Sequence, residues 1–491
     1  MPESPSVARR VSGPSVPARR SRVFCSRSLR MDQVAVVGFD MDYTLAVYHQ
    51  PEMDQLSVRL TRQRMVERGW PEWFADLPDL ADYPIRGLLV DTRYGNVLKM
   101  DRHRYVKRAY HGTRELSRDE RRALYETRRL RPGNRRYHWV DTLYALAEVS
   151  VYAAAVDEYE RRGIEVDHEE LFRDVRASID EAHGSGEVFR TLASDFDRYV
   201  VRDPRLGATL HRLRSSGKRL FLLTNSGPEA TDALMTHLLD GALDQYPSWR
   251  RYFDVIVTSA RKPLWFTGRE PFLGESDDGW APVSSFRRGR LYQGGNIAEF
   301  ESVLGARGDE ILYVGDHIYG DVLRANVQSG WRTCMIIQEM VTELAALSAH
   351  GDELDAIERL DEELAACHDE LRLQRAVLDG EISGVAQLHL DWDGPDASPE
   401  ELDRRQRHVV VEGLLGRIRS LEERREELEE RVASAYHPWW GSLFWAGSEL
   451  SSFGAQVEQY AWLYTDRVSN LAGYSPLHYF RSPRGRMVHE L

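Results

Sequence analysis

Five short apolar runs constrain the fold of this 491-residue chain more than any other feature of its sequence. Each run is bounded by polar or turn residues, and the runs are VAVVGF, LFLLT, VIVTS, ILYVG and CMII. A continuous apolar pattern is typical of parallel strands that are covered on both faces. Helix-like segments such as RLGATLHRLRSSGK and IAEFESVLGARG lie between the later runs. Strands that alternate with helices predict an α/β fold with a doubly wound parallel sheet.

Polar side chains stand directly after four of the five runs. In a doubly wound sheet, ligands bind beyond the carboxyl ends of the strands. We therefore expect these side chains to converge at one edge of the sheet. They are Asp40 and Asp42, Thr224 and Asn225, Lys262, and Asp316.

The first two runs are separated by a stretch far longer than a normal strand connection. We predict that residues 49–202 form a cap domain inserted into a core made of residues 31–48 and 203–345. The inserted stretch contains helix-like segments, among them LFRDVRASIDEAH and DTLYALAEVSVYAAAVDEYERRG. It also contains a strand-turn-strand pattern, GLLVDTRYGNVLKMD.

The C-terminal part has a different texture. Residues 346–435 carry two amphipathic helical patterns, and DWDGPDASPEE supplies a turn between them. This pattern predicts an antiparallel helical hairpin. The hairpin either mediates self-association into a homo-oligomer or presents a solvated helical face. Residues 436–491 are rich in aromatic residues, which favours packing onto the core over a cofactor site.

Composition excludes several classes of protein. The net charge of −13 disfavours a nucleic-acid-binding protein. No apolar run reaches the roughly 18 to 20 residues that a bilayer crossing needs, so we expect no membrane association. Three widely spaced cysteines indicate a reducing compartment, and hence a cytoplasmic location. Residues 1–30 are rich in Arg, Ser and Pro, which predicts a disordered extension, or an upstream start with Met31 as the true beginning; a transit peptide is the less favoured alternative.

The polar residues after the strands suit phosphoryl transfer. The carboxylate of Asp40 can attack a phosphorus centre, and a protonated Asp42 can donate to the leaving oxygen and later activate water. Such a site needs positive charge. Lys262 supplies one unit, and a Mg²⁺ ion held by carboxylates would supply two. Asp316 is the natural third carboxylate, with Asp321 as a further ligand or as a supporting group.

Thr224 and Asn225 offer neutral hydrogen-bond donors for phosphate oxygens. Each of these signals is weak when taken alone. The ordered set is specific: DxDxT, then a Thr-Asn pair, then Lys after the third run, then GDxxxxD.

This ordered set resembles that of the haloacid dehalogenase (HAD) superfamily. The strings FDMDYTLAVY, FLLTNSG, ARKPLWF, YQGGN and ILYVGDHIYGDVLR resemble its cytosolic purine 5'-nucleotidase branch. The resemblance implies that Asp40 is the nucleophile and Asp42 the acid and base, with Thr224 and Lys262 binding phosphate. It implies Mg²⁺ ligands from Asp40, the main-chain carbonyl of Asp42 and Asp316, with Asp321 in support.

The resemblance extends to the cap. FRDVRASIDEAH matches the purine-recognition helix of that branch, and Arg176 and Asp180 fall on its base-contacting positions. VDTLYAL matches the stretch that supplies a stacking aromatic residue followed by Asn. Here the aromatic residue is Tyr144 and the next residue is Ala145. This departure leaves strict purine specificity open.

Together these features predict a Mg²⁺-dependent 5'-nucleotidase that hydrolyses purine nucleoside monophosphates through an aspartyl-phosphate. Two alternatives stay open at this point. In the first, the protein is another phosphoryl-transfer enzyme: a phosphotransferase, if the aspartyl-phosphate passes to a nucleoside, or another HAD phosphatase. The chain could also be a binding or scaffold protein that keeps the fold without catalysis.

Overall fold

A computed structural model of the chain describes residues 17–126, 130, 135–276, 279–378 and 404–483. The strands of these residues are, in chain order, β1 (Phe24–Cys25), β2 (Leu29–Arg30), β3 (Val36–Phe39), β4 (Val47–Tyr48), β5 (Leu88–Asp91), β6 (Asn96–Met100), β7 (Val106–His111), β8 (Arg114–Glu115), β9 (Tyr137–Val140), β10 (Val200–Val201), β11 (Arg219–Leu223), β12 (Val255–Thr258), β13 (Phe272–Ser276), β14 (Gly279–Pro282), β15 (Leu291–Gly294), β16 (Ile311–Gly315), β17 (Arg332–Ile336), β18 (Trp445–Ala446), β19 (Glu449–Leu450), β20 (Leu463–Thr465) and β21 (Tyr479–Phe480).

The α-helices of the described residues are α1 (Gln50–Glu67), α2 (Arg118–Arg121), α3 (Leu146–Arg162), α4 (His168–Gly184), α5 (Glu187–Ser194), α6 (Phe196–Tyr199), α7 (Leu206–Ser215), α8 (Pro228–Leu239), α9 (Ile297–Leu304), α10 (Arg324–Ser329), α11 (Met340–Ala349), α12 (Gly351–Leu378), α13 (Arg404–Tyr436) and α14 (Ser452–Tyr460). Within this part of the chain, no helix combines the length and the apolar character that crossing a membrane requires.

The five predicted strands are present and lie side by side as β17-β16-β3-β11-β12 at the centre of a ten-stranded sheet. All neighbours among them are parallel, and the parallel region continues to β15 on one side and β20 on the other. Antiparallel strands close both edges: β1 beside β20, and β13 with β14 beside β15. The prediction of an α/β fold built on a parallel sheet is confirmed.

Alternate residues of the central strands feed two separate hydrophobic clusters, one on each face of the sheet. Val37 and Phe39 of β3 belong to one cluster, whereas Val36 belongs to the other. The same alternation divides Leu222 from Phe221 in β11. Burial on both faces explains why these strands have continuous apolar sequences.

The inserted stretch forms a second, antiparallel sheet in the order β8-β7-β6-β5-β9. The predicted strand-turn-strand pattern is the hairpin of β5 and β6, with Leu88 opposite Lys99. Helices α1, α3 and α4 pack against one another. The cap boundaries at residues 49 and 202 stay a prediction, because the chain from its start to Leu344 and from Leu443 to Leu491 forms one compact unit.

The structure differs from the sequence expectation near the amino terminus. Residues 17–30 are ordered parts of the fold, not a disordered extension. Phe24 of β1 pairs with Tyr464 of β20, and Leu29 of β2 pairs with Phe480 of β21. Leu29 is buried. The expectation for residues 1–16 lies outside the described residues.

Residues 345–442 form the second compact unit. Its two long helices, α12 and α13, are antiparallel: Glu363 pairs with Arg417 at 3.5 Å, and Asp361 pairs with Arg425 at 3.3 Å. The turn sequence between the helices lies outside the described residues. The apolar stripes of the two helices pack on each other, and one cluster between them contains the buried residues Leu364, Cys367, Leu371 and Ile418.

We expect Gly38→Ala to lower the stability of the sheet by about 1–3 kcal/mol, because overpacking forces neighbours out of their preferred positions. A Cβ atom at Gly38 would lie 2.0 Å from the ring of Phe221. The shift in the midpoint of urea unfolding measures the effect. Gly184→Ala, at the end of α4 with open space around it, is the matched control and should leave the midpoint unchanged or raise it. Equal midpoints for Gly38→Ala and the unmodified chain would contradict this packing.

Candidate active site

Lys262 lies at the centre of a buried group of polar side chains beyond the carboxyl ends of the central strands. Its Nζ donates to Asp321 Oδ1 at 2.6 Å and to the hydroxyl of Tyr313 at 2.9 Å. The same Nζ lies 2.9 Å from Asp40 Oδ1. Only 4% of the Lys262 side chain is exposed, so these contacts are little screened by water.

Asp40 is fixed by the strand that precedes it. Its main-chain N–H donates to the carbonyl of Val314 at 2.8 Å and so extends the pairing of β3 with β16. Its Oδ1 accepts from the main-chain N–H of Met41 at 2.8 Å. The carboxylate is therefore held at the strand end by the main chain on one side and by Lys262 on the other.

Asp42 has different partners. Its Oδ1 accepts from the hydroxyl of Tyr48 at 2.5 Å, and its Oδ2 accepts from the hydroxyl of Ser226 at 2.6 Å. Tyr48 belongs to β4 and Ser226 to the loop after β11, and neither was singled out from the sequence. The two carboxylates of the DxD pair thus stand in separate environments, one beside an ammonium group and one between two hydroxyls.

Asp316 and Asp321 come from the end of β16 and from the π-helical turn Ile318–Leu323 that follows it. Asp321 Oδ2 accepts from the main-chain N–H of His317 at 3.3 Å. Gly315 allows this close approach, since a Cβ atom there would lie 2.5 Å from the Asp321 carboxylate. The Gly in the GDxxxxD pattern is therefore required by the position of its second Asp.

The loop that carries Lys262 is held by the loop after β11. The side-chain amide of Asn225 donates to the carbonyl of Lys262 at 3.0 Å, and its oxygen accepts from the Lys262 N–H at 2.6 Å. Ser259 and Arg261 adopt left-handed backbone conformations, with φ of +48° and +59°. Backbone strain of this kind is tolerated where the surroundings fix the conformation.

The contacts of Asn225 add a role that the sequence did not indicate. Both polar atoms of its amide contact the main chain of Lys262, so Asn225 positions that residue. The amide nitrogen has a second hydrogen, and phosphate binding by Asn225 stays a prediction. Thr224, by contrast, lies directly after β11, where its hydroxyl accepts from the N–H of Ser226 at 3.1 Å.

The charges of the site are unbalanced. Burial raises the pKa of Asp40 well above its usual range; Lys262 opposes this shift, and Asp321 and Asp316 add to it. Burial, followed by the charge of Asp321, raises the pKa of Asp316 to about 7. For Lys262, burial favours the neutral form, but the charges of Asp321 and Asp40 outweigh it and raise the pKa. Three carboxylates thus share one ammonium group.

This arrangement fits a divalent cation. Among the described residues, Asp40, Asp316 and Asp321 can each place a carboxylate oxygen within 4.8 Å of the others. Hard oxygen ligands are those that Mg²⁺ prefers. The excess of two negative charges, and the raised pKa values of two of the three carboxylates, are what a bound divalent cation would compensate.

Arg86 is a further part of the site that the sequence did not indicate. It lies just before β5 of the cap, and its side chain is fully buried. Its guanidinium donates to both carboxylate oxygens of Glu339, at 2.7 and 2.6 Å, and to the main-chain carbonyl of Asp316 at 2.8 Å. Arg86 therefore joins the cap to the loop that presents Asp316.

The three residues predicted to recognise a base lie together on the cap. The charge of Asp180 acts on the phenol of Tyr144, whose ring centroid is 4.2 Å from that of His183. Arg176 Nη1 is 3.8 Å from Oε1 of Glu148. Burial, followed by the charges of Asp180 and Glu148, raises the pKa of Tyr144.

Tyr43 connects this group to the catalytic group. Burial is the largest cause of the raised pKa of the Tyr43 phenol. Interactions with Asp54, Asp316, Asp42 and Tyr144, in this order, raise the pKa further. Its phenol therefore lies within electrostatic range of both groups. Tyr43 also has a left-handed backbone conformation, with φ of +56°, which is a rare conformation for an aromatic residue.

The residues that sequence reasoning missed differ in the signal they offered. Tyr313 is a lone aromatic in the apolar run ILYVG, and a buried tyrosine hydroxyl needs a partner. Ser226 directly follows the Thr-Asn pair. Arg86 and Glu339 had no local signal, because their partners are distant in the chain.

The carboxylates and the ammonium group beyond the carboxyl edge of the sheet fit the class of phosphohydrolases. The family model described as "5' nucleotidase family" matches residues 23–491. The chain belongs to this family.

Two relatives give the scale of the similarity. A 5'-nucleotidase domain-containing protein of Dictyostelium discoideum is 26% identical over 469 residues, which cover 92% of this chain and 72% of that protein. The rat 5'-nucleotidase domain-containing protein 2 is 30% identical over 343 residues, which cover 66% of this chain and 61% of that protein. Among solved structures, a predicted phosphoglycolate phosphatase from Haemophilus somnus aligns over 62% of this chain and 85% of its own, at 15% identity. The TM-score of this alignment is 0.28.

We expect Arg86→Ala to lower the stability of the chain by about 3 kcal/mol, because it leaves Glu339 and the Asp316 carbonyl without their partner. The shift in the midpoint of chemical unfolding checks this. Arg102→Ala is the matched control: Arg102 also lies in the cap, but its ion pair with Glu458 is 3.5 Å long and exposed. Its effect should stay within about 0.5 kcal/mol. Similar effects of the two substitutions would contradict the assignment of Arg86.

Proposed function

We propose that the protein is a Mg²⁺-dependent 5'-nucleotidase that hydrolyses nucleoside 5'-monophosphates, purine ones in the first place, through an aspartyl-phosphate at Asp40. The observation that carries the proposal is the contact group of Asp40, Lys262 and Asp321 beside Asp316. Membership of the 5' nucleotidase family supports the substrate class.

The first half of the reaction uses Asp40 as the nucleophile. A carboxylate oxygen of Asp40 attacks the phosphorus, and the bond between phosphorus and the 5'-oxygen of the nucleoside breaks. Asp42 donates a proton to this leaving oxygen. The products of this half are the free nucleoside and a phosphate covalently bound to Asp40.

The second half uses Asp42 as a base. It takes a proton from a water molecule, whose oxygen attacks the phosphorus of the aspartyl-phosphate. The bond between phosphorus and the Asp40 oxygen breaks, which releases phosphate and restores the carboxylate. The hydroxyls of Tyr48 and Ser226 hold Asp42 in place, 2.5 and 2.6 Å from its oxygens.

Positive charge is needed because a carboxylate and a phosphate both carry negative charge. Lys262 provides one unit beside Asp40. Asp40, Asp316 and Asp321, with the main-chain carbonyl of Asp42, would hold Mg²⁺, which when bound supplies electrostatic stabilisation of the phosphoryl oxygens. The hydroxyl of Thr224 would donate to the same oxygens.

The base is recognised on the cap in this proposal. The Arg176 guanidinium donates to acceptor atoms of a purine, the Asp180 carboxylate accepts from its N–H groups, and Tyr144 stacks on the ring. The position of Tyr43, within range of Tyr144 and of Asp42 and Asp316, supports a substrate that spans both groups. Ala145 offers no side-chain hydrogen bond to the base.

Two further sequence predictions stay predictions. They are the cytoplasmic location and self-association through the helical hairpin. The non-catalytic alternative is disfavoured, because a scaffold has no need for three buried carboxylates around one ammonium group.

Asp40→Asn should abolish phosphate release, because the amide is a poor nucleophile, while the fold stays intact. Steady-state release of inorganic phosphate from a panel of nucleoside monophosphates and sugar phosphates measures this, and adding inosine as an acceptor tests for phosphotransfer. Asp32→Asn, on the surface beside Arg30, is the control and should keep full activity. The nucleophile assignment is wrong if Asp40→Asn retains turnover, and the substrate class is wrong if sugar phosphates are hydrolysed well and nucleotides not at all.

Removal of divalent cations with EDTA should abolish turnover, and added Mg²⁺ should restore it. Asp316→Asn should raise the Mg²⁺ concentration needed for half-maximal activity by about tenfold or more, because it removes one charged ligand. Titration of bound Mn²⁺ by electron paramagnetic resonance provides a second readout. Full activity in EDTA would overturn the metal assignment.

A further inference from the structure

Glu148 is a buried carboxylate without a hydrogen bond to one of its oxygens. It lies in the first turn of α3 and is 2% exposed. Among the described residues, no donor lies within hydrogen-bond distance of its Oε1. The nearby cation is Arg176, whose Nη1 is 3.8 Å from this oxygen. A buried carboxylate in this state is unfavourable unless a nearby positive charge compensates it.

The surroundings of Glu148 come from two other parts of the cap. Arg176 and Asp180 face it from α4, and Asp141 faces it from the segment before α3. Tyr144 lies within electrostatic range of both Glu148 and Asp180. Arg176 is the cation among these groups, and half of its side chain is exposed.

The position of Arg176 indicates how Glu148 can act. Oε1 of Glu148 is shielded from solvent. The side chain of Arg176 is half exposed, and its Nη1 lies 3.8 Å from this oxygen, so a ligand at the surface of α4 meets the guanidinium. Glu148 can act on such a ligand through Arg176.

We propose that Glu148 is a positioning residue that holds the Arg176 guanidinium for the nucleobase, so that base recognition weakens when this carboxylate is protonated. The inference rests on the proposed function, because it assigns Arg176 to the base. Loss of the negative charge releases the guanidinium to solvent and leaves it in many rotamers. The base must then order the side chain at the moment of binding.

The protonation of Glu148 falls in an accessible range of pH. Burial raises the pKa of Glu148 to about 7. The charge of Arg176 opposes this shift, whereas the charges of Asp180 and Asp141 add to it. Below this pH the carboxylate is neutral, and above it the carboxylate is anionic and holds Arg176. Recognition of the base should therefore improve as the pH rises through about 7.

The experiment compares kcat/KM for inosine monophosphate with kcat/KM for ribose 5-phosphate, which lacks the base, between pH 6 and pH 8. The ratio cancels the titration of the phosphate and of the catalytic carboxylates, because both substrates share them. The ratio should rise about five- to tenfold over this range in the unmodified protein. The reason is that the ionised fraction of a single group with a pKa near 7 rises about tenfold between pH 6 and pH 8. In Glu148→Gln it should stay at its low-pH value throughout.

A double-mutant cycle with Arg176→Ala tests whether Glu148 acts through Arg176. Glu148→Gln should reduce the ratio about fivefold at pH 8 in the unmodified background, and by less than about twofold when Arg176 is already Ala. Glu148→Asp should restore part of the pH dependence. Glu158→Gln, at the far end of the same helix, is the matched control and should leave the ratio and its pH dependence unchanged.

The outcomes separate the inference from the function on which it rests. A Glu148→Gln protein that keeps the unmodified ratio and pH dependence overturns the inference and leaves the nucleotidase proposal intact. An equal loss with both substrates, together with a lower melting temperature, shows a purely structural residue and also overturns it. If the unmodified protein hydrolyses ribose 5-phosphate but no nucleotide, the proposed function fails and the inference fails with it.

Discussion

The ammonium group of Lys262 is the interaction on which the rest of the site depends. It contacts the carboxylate of Asp40 at the end of β3 and that of Asp321 in the turn after β16, which would otherwise repel each other in a buried place. At the low effective dielectric of such a place, charges a few ångströms apart interact by several kcal/mol, so Asp40 and Asp321 could not both stay ionised there unpaired. The loop that carries Lys262 is accordingly fixed by both atoms of the Asn225 amide.

The sequence could predict the central sheet because its strands are buried on both faces. Burial on both faces produces continuous apolar runs, which can be recognised without the structure. The convergence of Asp40, Lys262 and Asp316 follows from the parallel arrangement alone, since the carboxyl ends of parallel strands meet at one edge. The short edge strands were not predicted. Strands of two or three residues such as β1 and β20 carry no periodic signal, and their pairing depends on residues more than 400 positions apart.

The parts of the site that escaped prediction are those defined by contacts between distant elements. The contacts of the Asn225 amide with the main chain of Lys262 join two loops that are 37 positions apart. Arg86 precedes a cap strand and contacts Glu339 and the carbonyl of Asp316, more than 200 positions further along the chain. Local sequence carries no trace of such a pair. The charged groups of the candidate site were visible in motifs, whereas the contacts that position them were not.

Two contacts link the cap to the candidate active site. Arg86 supports the loop of Asp316 from the cap side, and His317, next to Asp316, lies 3.4 Å from Asp141 of the cap.

Tyr43, in the loop that follows Asp42, has a left-handed backbone conformation. This conformation is unfavourable by about 1–2 kcal/mol for a residue with a side chain, and glycine would adopt it freely. The ring of Tyr43 packs against the ring of Tyr48, with centroids 4.9 Å apart, and against the hydrophobic cluster on one face of the sheet. Backbone strain persists only where the surroundings fix the conformation, so the packing of this ring is what holds the loop after Asp42 in its strained form.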